Sequence, residues 1–419
     1  MKSRLFIITI ATMAALLLNG CAKDEPLTDG PADGKDVLKD NGTPVAFETS
    51  VSLFDADTRA EITSKADLAT SHFGVFAYYH DGNGTTDGAY NSSSSAPNFM
   101  YNQEVVSADA GVTWTYAPIK YWPNETKTDP ESTAISEHID KLSFLAYAPF
   151  ATTLSGTEPG IYAITSSTTA GDAKVSYRVS PNDPAKAVDL MWGVNPTTGD
   201  PLLNLTKKAI GEKVSIKFYH ALTKLDVEAQ LAVEQLPGGG TLDANTKVFI
   251  EGLYLIPQET DASKLLGLEG DFNLNTPYSA TSTAGWTVTM PYDETAAISS
   301  SIKIKDAMKY GAAGATGVTT NSGESALDGP LMFIPINGTA SYKYNVKLVY
   351  HVVTTDPVTG MVSDVTNDIV QEVSIPFLQA HAYKLIAVIG LTSVKFTVEV
   401  VNWTPDNKPV AMRSTDEVF

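Results

Sequence analysis

The chain is predicted to be all-β, folded as two antiparallel β-sandwich domains in series with few short helices. Three observations predict this. Apolar and polar residues alternate with a two-residue period in several segments: Tyr342, Tyr344, Val346, Leu348 and Tyr350 against Lys343, Asn345 and Lys347, and Val394, Phe396, Val398 and Val400 against Lys395, Thr397 and Glu399. Clusters of Gly, Ser, Thr and Asn at 81–95, 151–172 and 311–328 separate such segments. Long amphipathic helical patterns are scarce; residues 62–68 supply one short candidate.

The elements follow in order. Residues 1–20 combine a basic start (Lys2, Arg4) with an apolar run from Leu5 to Leu18, the layout of a secretory signal peptide. The run is shorter than the roughly 20 apolar residues of a membrane-spanning helix. Leu18-Asn19-Gly20-Cys21 resembles the lipobox of bacterial lipoproteins, which makes Cys21, the one cysteine of 419 residues, the expected acylated (palmitate-bearing) N-terminus. Asp24 and Glu25 just beyond it resemble a surface-export signal. Residues 21–44 are rich in Pro, Gly and Asp and read as a tether spanning roughly 25 Å. Val45, Phe47, Val51 and Leu53 fall on one face of a strand over 45–54, with Glu48, Ser50 and Ser52 opposite. Phe73 to Tyr79 is apolar on both faces, as in a central strand. Turn formers at 195–201 place a boundary near there, giving domains at 45–205 and 206–419, with new strands opening at Val214 and over Leu225, Val227 and Ala229.

Charge narrows the partners. The formal net charge is −19, or −21 once Lys2 and Arg4 leave with the signal peptide. So acidic a surface repels phosphate backbones and argues against nucleic acid as a partner. A single cysteine excludes a disulfide framework within the chain.

Catalytic patterns are missing: the chain has no Gly-x-Ser-x-Gly elbow, phosphate loop or His-Glu-x-x-His. The six histidines are scattered, and His220 and His381 stand in apolar contexts as core residues. Asp81-Gly82-Asn83-Gly84 opens like a calcium loop, but Thr86 and Ser92 occupy the positions that require Gly and Glu. The reading is therefore no enzyme, no cofactor and no metal. The five tryptophans (Trp114, Trp122, Trp192, Trp286, Trp403) are expected in the core, although sugar-stacking platforms are the competing role.

Several segments in fixed order carry a resemblance. They are Phe73–Tyr78 (FGVFAY), Tyr116–Pro123 (YAPIKYWP), Leu142–Pro149 (LSFLAYAP), Asp189–Trp192 (DLMW), Phe218–Leu225 (FYHALTKL) and the closing Val398–Trp403. Together they resemble the fimbrillin-like family of the Bacteroidales, subunits of type V pili, over nearly the whole mature chain. The resemblance implies two transthyretin-like sandwiches, export as an outer-membrane lipoprotein, and cutting by a surface arginine-specific protease. The matching site is Arg59-Ala60, which follows the 45–54 strand and holds the first arginine after the signal peptide. It further implies that Val45, Phe47, Val51 and Leu53 form a displaced strand. A neighbour's C-terminal strand then refills the groove, the candidate donor being Val394, Phe396, Val398 and Val400 with the tail 404–419. Refilling with about five large apolar side chains contributes on the order of 7–15 kcal/mol, comparable with the whole stability of a domain. Implied partners are other pilin subunits and a host or bacterial surface ligand. The competing readings are a tip or anchor subunit of a pilus, or a surface glycan-binding lipoprotein of the outer membrane.

Overall fold

The computed structural model describes residues 42–52, 62–82, 87–123, 126–128, 137–151, 154, 156–232, 242–279, 285–321, 323–336, 340–391 and 393–401. Strands dominate, as the two-residue alternation requires. Those of the first half are β1 (Phe47–Val51), β2 (Phe73–His80), β3 (Met100–Val105), β4 (Thr126–Thr128), β5 (Glu137–Ile139), β6 (Lys141–Ala148), β7 (Gly160–Ile164), β8 (Lys174–Arg178), β9 (Met191–Val194) and β10 (Leu202–Leu205). Then follow β11 (Val214–His220), β12 (Thr223–Leu231), β13 (Thr246–Pro257), β14 (Gly267–Asn273), β15 (Trp286–Pro291), β16 (Leu331–Phe333), β17 (Tyr342–Thr355), β18 (Val362–Ile375), β19 (Ala382–Ile389) and β20 (Val394–Val401). Among the described residues two short α-helices accompany them, α1 (Lys65–Ser71) and α2 (Glu294–Ser299).

The first sheet runs β1-β11-β9-β6-β2-β3, with β10 also paired to β6. Both its faces are buried. Phe73, Val75, Ala77, Leu142, Phe144, Ala146, Ile216 and Phe218 fill one face. Phe76, Tyr78, Leu145, Tyr147 and Trp192 fill the other, against Val175, Tyr177 and Phe272 of a sheet ordered β15-β14-β8-β7. This double burial explains the unbroken apolar runs of β2 and β6. Gly193 in β9 answers a local crowding: a Cβ there would stand 2.4 Å from Ile216 Cγ2 and 3.1 Å from Ala146 Cβ.

The remaining sheets are β16-β12-β19-β20 and β13-β17-β18, with a two-stranded β4-β5 ribbon. In β17 the alternation is realised as read: Tyr344, Val346, Leu348 and Tyr350 are buried while Lys343, Asn345 and Lys347 are not.

Three findings amend the sequence reading. First, two pairings are parallel, β1 with β11 and β12 with β19, because long stretches of chain separate these partners and a hairpin is not required. Second, β11 lies beyond residue 205 yet sits between β1 and β9, so the first sheet reaches past the expected boundary. Third, the short helix starts at Lys65 rather than Ile62. Ser64 is its N-cap and accepts from the Asp67 N–H at 3.2 Å, while Ile62 is spent on the core.

Candidate functional site

The candidate site is the seat of β1 at the edge of the first sheet. The β1–β11 register sets Phe47 beside Val214 and Val51 beside Phe218. Backbone bonds fasten the strand beyond its ends. Val214 N–H donates to Ala46 O at 2.7 Å, Ser52 N–H to Phe218 O at 3.1 Å, and Val45 N–H to Lys120 O at 2.9 Å. The Tyr116 hydroxyl donates to Val45 O at 2.8 Å. Burial of that hydroxyl pushes its pKa up to about 12, so it remains a donor at physiological pH.

Val45, Phe47 and Val51 all point into the core, as the alternation predicts. The Phe47 ring lies 6.1 Å from Phe73, 5.7 Å from Tyr116 and 5.8 Å from Phe144, centroid to centroid. Glu48 faces outward and accepts from the Ser215 hydroxyl. Three buried polar atoms in this layer, Thr49 Oγ1, Trp114 Nε1 and Trp122 Nε1, have no hydrogen-bond partner among the described residues.

Leu53, Arg59 and Ala60 lie outside the described residues, as do Cys21, the signal peptide, the tether to residue 41, and 402–419 with Trp403. The residues that flank 53–61 are each hydrogen-bonded to the body of the fold. On one side Ser52 is bonded to Phe218; on the other, Ile62 N–H donates to Asp189 Oδ2 at 3.0 Å. Asp189 Oδ1 in turn meets His220 Nδ1 at 2.8 Å, both side chains fully buried. Both ends are thus tied to the C-terminal end of β11, at Phe218 and, through Asp189, at His220. Sequence reading identified His220 as a core residue but missed this role. No local pattern could have given it, since Ile62 and Asp189 are 127 residues apart.

The candidate donor strand sits elsewhere. β20 is the edge of its own sheet, antiparallel to β19 from Val394 opposite Ile389 to Val401 opposite Ala382. Phe396 is buried, and Val394, Val398 and Val400 are half-buried against the same core. The candidate donor and the displaced strand are therefore edge strands of different sheets, not brought together in one chain.

The other sequence candidates resolve simply. Trp114, Trp122, Trp192 and Trp286 are buried; Trp192 and Trp286 donate to Thr276 O and Ala221 O. Among the described residues no group of three His, Asp or Glu side chains is placed to hold a metal ion.

No family model matches the chain, and no curated protein matches it. Solved structures do. A fimbrial protein from Bacteroides vulgatus is similar with a TM-score of 0.56 at 21% identity, covering 86% of this chain and 99% of that one. A protein provisionally assigned to cell adhesion from Bacteroides uniformis gives 0.41 at 16%, covering 86% and 99%. A fimbrial assembly protein from Parabacteroides distasonis gives 0.31 at 10%, covering 85% and 96%. At the level of fold, the chain is thus built like the Bacteroides vulgatus fimbrial protein.

Proposed function

We propose that the chain is a structural subunit of a fimbria, a non-enzymatic surface protein that polymerises by exchanging an edge strand. In this reading Cys21 carries the lipid that brings the precursor to the outer-membrane surface. An arginine-specific protease cuts between Arg59 and Ala60, β1 leaves, and a neighbouring subunit's C-terminal strand takes its place.

The observation that carries the reading is the seating of β1. It is an edge strand whose side chains alternate into a buried aromatic layer, and the one nearby arginine follows directly in sequence. Removing Val45, Phe47 and Val51 would uncover a trough worth on the order of 5–9 kcal/mol in burial, an upper estimate. An open trough of that size favours prompt refilling, and strand addition reads alternate side-chain pockets while the main chain supplies the ladder. The partnerless indole N–H groups of Trp114 and Trp122 add to the case, since buried donors of this kind cost about 1–3 kcal/mol each. Val394, Phe396, Val398 and Val400 have the matching period. Donation requires either their release from β19 or use of residues 404–419. Edge strands on different sheets suit an open head-to-tail contact, which builds filaments rather than closed rings.

The test is treatment of the purified chain with an arginine-specific protease. A new N-terminus at Ala60 together with a ladder of oligomers is expected, and Arg59→Ala should show neither. A cut chain that stays monomeric, or an Arg59→Ala variant that polymerises like the wild type, overturns the proposal. Truncation after Val401 separates the two donors, because a ladder that survives it assigns donation to β20.

A further inference from the structure

The outer face of the β17–β18 hairpin carries three cross-strand pairs at four-residue intervals. Lys343 Nζ lies 2.6 Å from Glu372 Oε1, Lys347 Nζ 2.8 Å from Asp368 Oδ2, and His351 Nδ1 2.7 Å from Asp364 Oδ1. Each pair is diagonal in register: His351 stands directly opposite Thr366, for example, two residues from Asp364. Lysines carry the first two rungs and keep their charge through the physiological range; the third cation is an imidazole, which does not. That third rung is the one nearest the hairpin tip. Beyond it Val358, Met361, Val362 and Val365 are exposed, and β18 is the edge of its sheet.

The surroundings of His351 demand a particular protonation state. Its Nε2 lies 3.0 Å from Glu251 Oε2 on β13. Glu251 is the extra residue of a bulge between Ile250 and Gly252, a device that re-aims a side chain. The Tyr310 ring stacks on the imidazole at 3.5 Å and 7°, and its hydroxyl donates to Asp364 Oδ2. Thr366 Oγ1 stands 3.5 Å from Nδ1. A neutral imidazole offers one N–H and one lone pair, so it cannot donate to two carboxylates. Only the imidazolium satisfies both contacts. Burial lowers the pKa of His351, but its hydrogen bonds to Asp364 and Glu251 outweigh that and leave it above the ordinary 6.5. Bonds from Tyr310 and His351 hold Asp364 below its usual range, so its carboxylate stays charged.

We propose that His351 is a proton-operated latch on the distal half of this hairpin. Charged, it ties β18 through Asp364 and β13 through Glu251 into one clamp across three strands. On losing a proton it releases one of the two, and the edge strand loosens around residues 362–366. Because the folded pKa lies above the unfolded value, the clamp acts fully below 6.5 and is lost as pH rises through the folded value.

Hydrogen exchange of the whole chain at about pH 5.5 and about pH 8.5, corrected for the intrinsic rate, tests this. Wild-type peptides covering 352–366 should exchange severalfold faster at the higher pH, as expected when the closed clamp binds the proton more tightly than the open one. His351→Lys, which restores the cation used by the other two rungs, should change by less than about twofold, and peptides of the first sheet should not change beyond that either. The ring-carbon titration of His351 by NMR should have its midpoint above 6.5. Equal wild-type exchange at both pH values, a His351→Lys variant with the wild-type dependence, or a midpoint at or below 6.5 overturns the latch. Should His351→Lys fail to fold, His351→Gln serves: fast exchange at both pH values supports the latch, and slow exchange at both overturns it.

Discussion

The ring of Phe47 meets that of Phe144 almost at right angles, 86° with centroids 5.8 Å apart. An edge strand is thereby keyed to β6 in the middle of the first sheet, two strands beyond its own ladder partner. Geometry of this kind contributes beyond the buried area of the two rings, by about 0.5–1.5 kcal/mol. β1 is thus held by specific aromatic contacts, and Phe47 is the largest of its side chains.

Phe47→Ala should lower stability by roughly 3–5 kcal/mol, the range for emptying a buried phenylalanine site. The edge position of β1 should also make its loss local, so amides 47–51 are expected to exchange freely before global unfolding. Phe47→Leu should cost less, about 1.5 kcal/mol. Urea midpoints and exchange maps check this, and an unchanged midpoint for the alanine variant would show that Phe47 does not seat the strand.

Asp189→Ala should be costly for another reason. It leaves Ile62 N–H without its acceptor and His220 without its carboxylate, both in the interior. Leaving a buried polar group without its hydrogen-bond partner costs about 1–3 kcal/mol, and here two groups are affected. Loss of protection should be greatest at Ile62 and through α1. A penalty below about 1 kcal/mol, within the range of a surface change, would mean that the tie to β11 is not made by Asp189.

Acid should loosen α1 through Asp67. Burial raises the pKa of this carboxyl, but bonds from Ser64 and Thr63 outweigh it and hold the group below its ordinary 3.8. The sign follows directly: the cap's contribution is present above 3.8 and is lost as pH falls through the lower folded value. Amide protection across Asp67–Thr70 should therefore drop in acid, and Asp67→Asn should remove that dependence. An NMR pH titration that finds the variant and the wild type losing protection in parallel contradicts it.

Much of this architecture is legible in the sequence where a property repeats along one strand. The both-sided apolar run at 73–79 announces a central strand, and the alternation of 342–350 and 394–400 names the inward-facing residues of β17 and β20. The inward residues of β1 were legible for the same reason. Where several elements meet, legibility fails. Ile62 looks like the start of a helix and is a core residue; Glu228 looks like the outer face of β12 and is buried against Lys384, 2.5 Å away. His351 reads as one more polar residue on an alternating strand until Glu251 and Asp364 arrive from its two neighbours.

The sequence by itself determined the inward-facing apolar residues of the alternating strands and that the chain is strand-rich, because side-chain alternation is a property of a single extended segment and needs no partner. Only the tertiary structure decided that β1 lies parallel to β11, that Asp189 reaches Ile62 and His220, and that three strands converge on one imidazole. Pairing depends on which distant edges are complementary once the long loops between them have closed, and no local period records that choice.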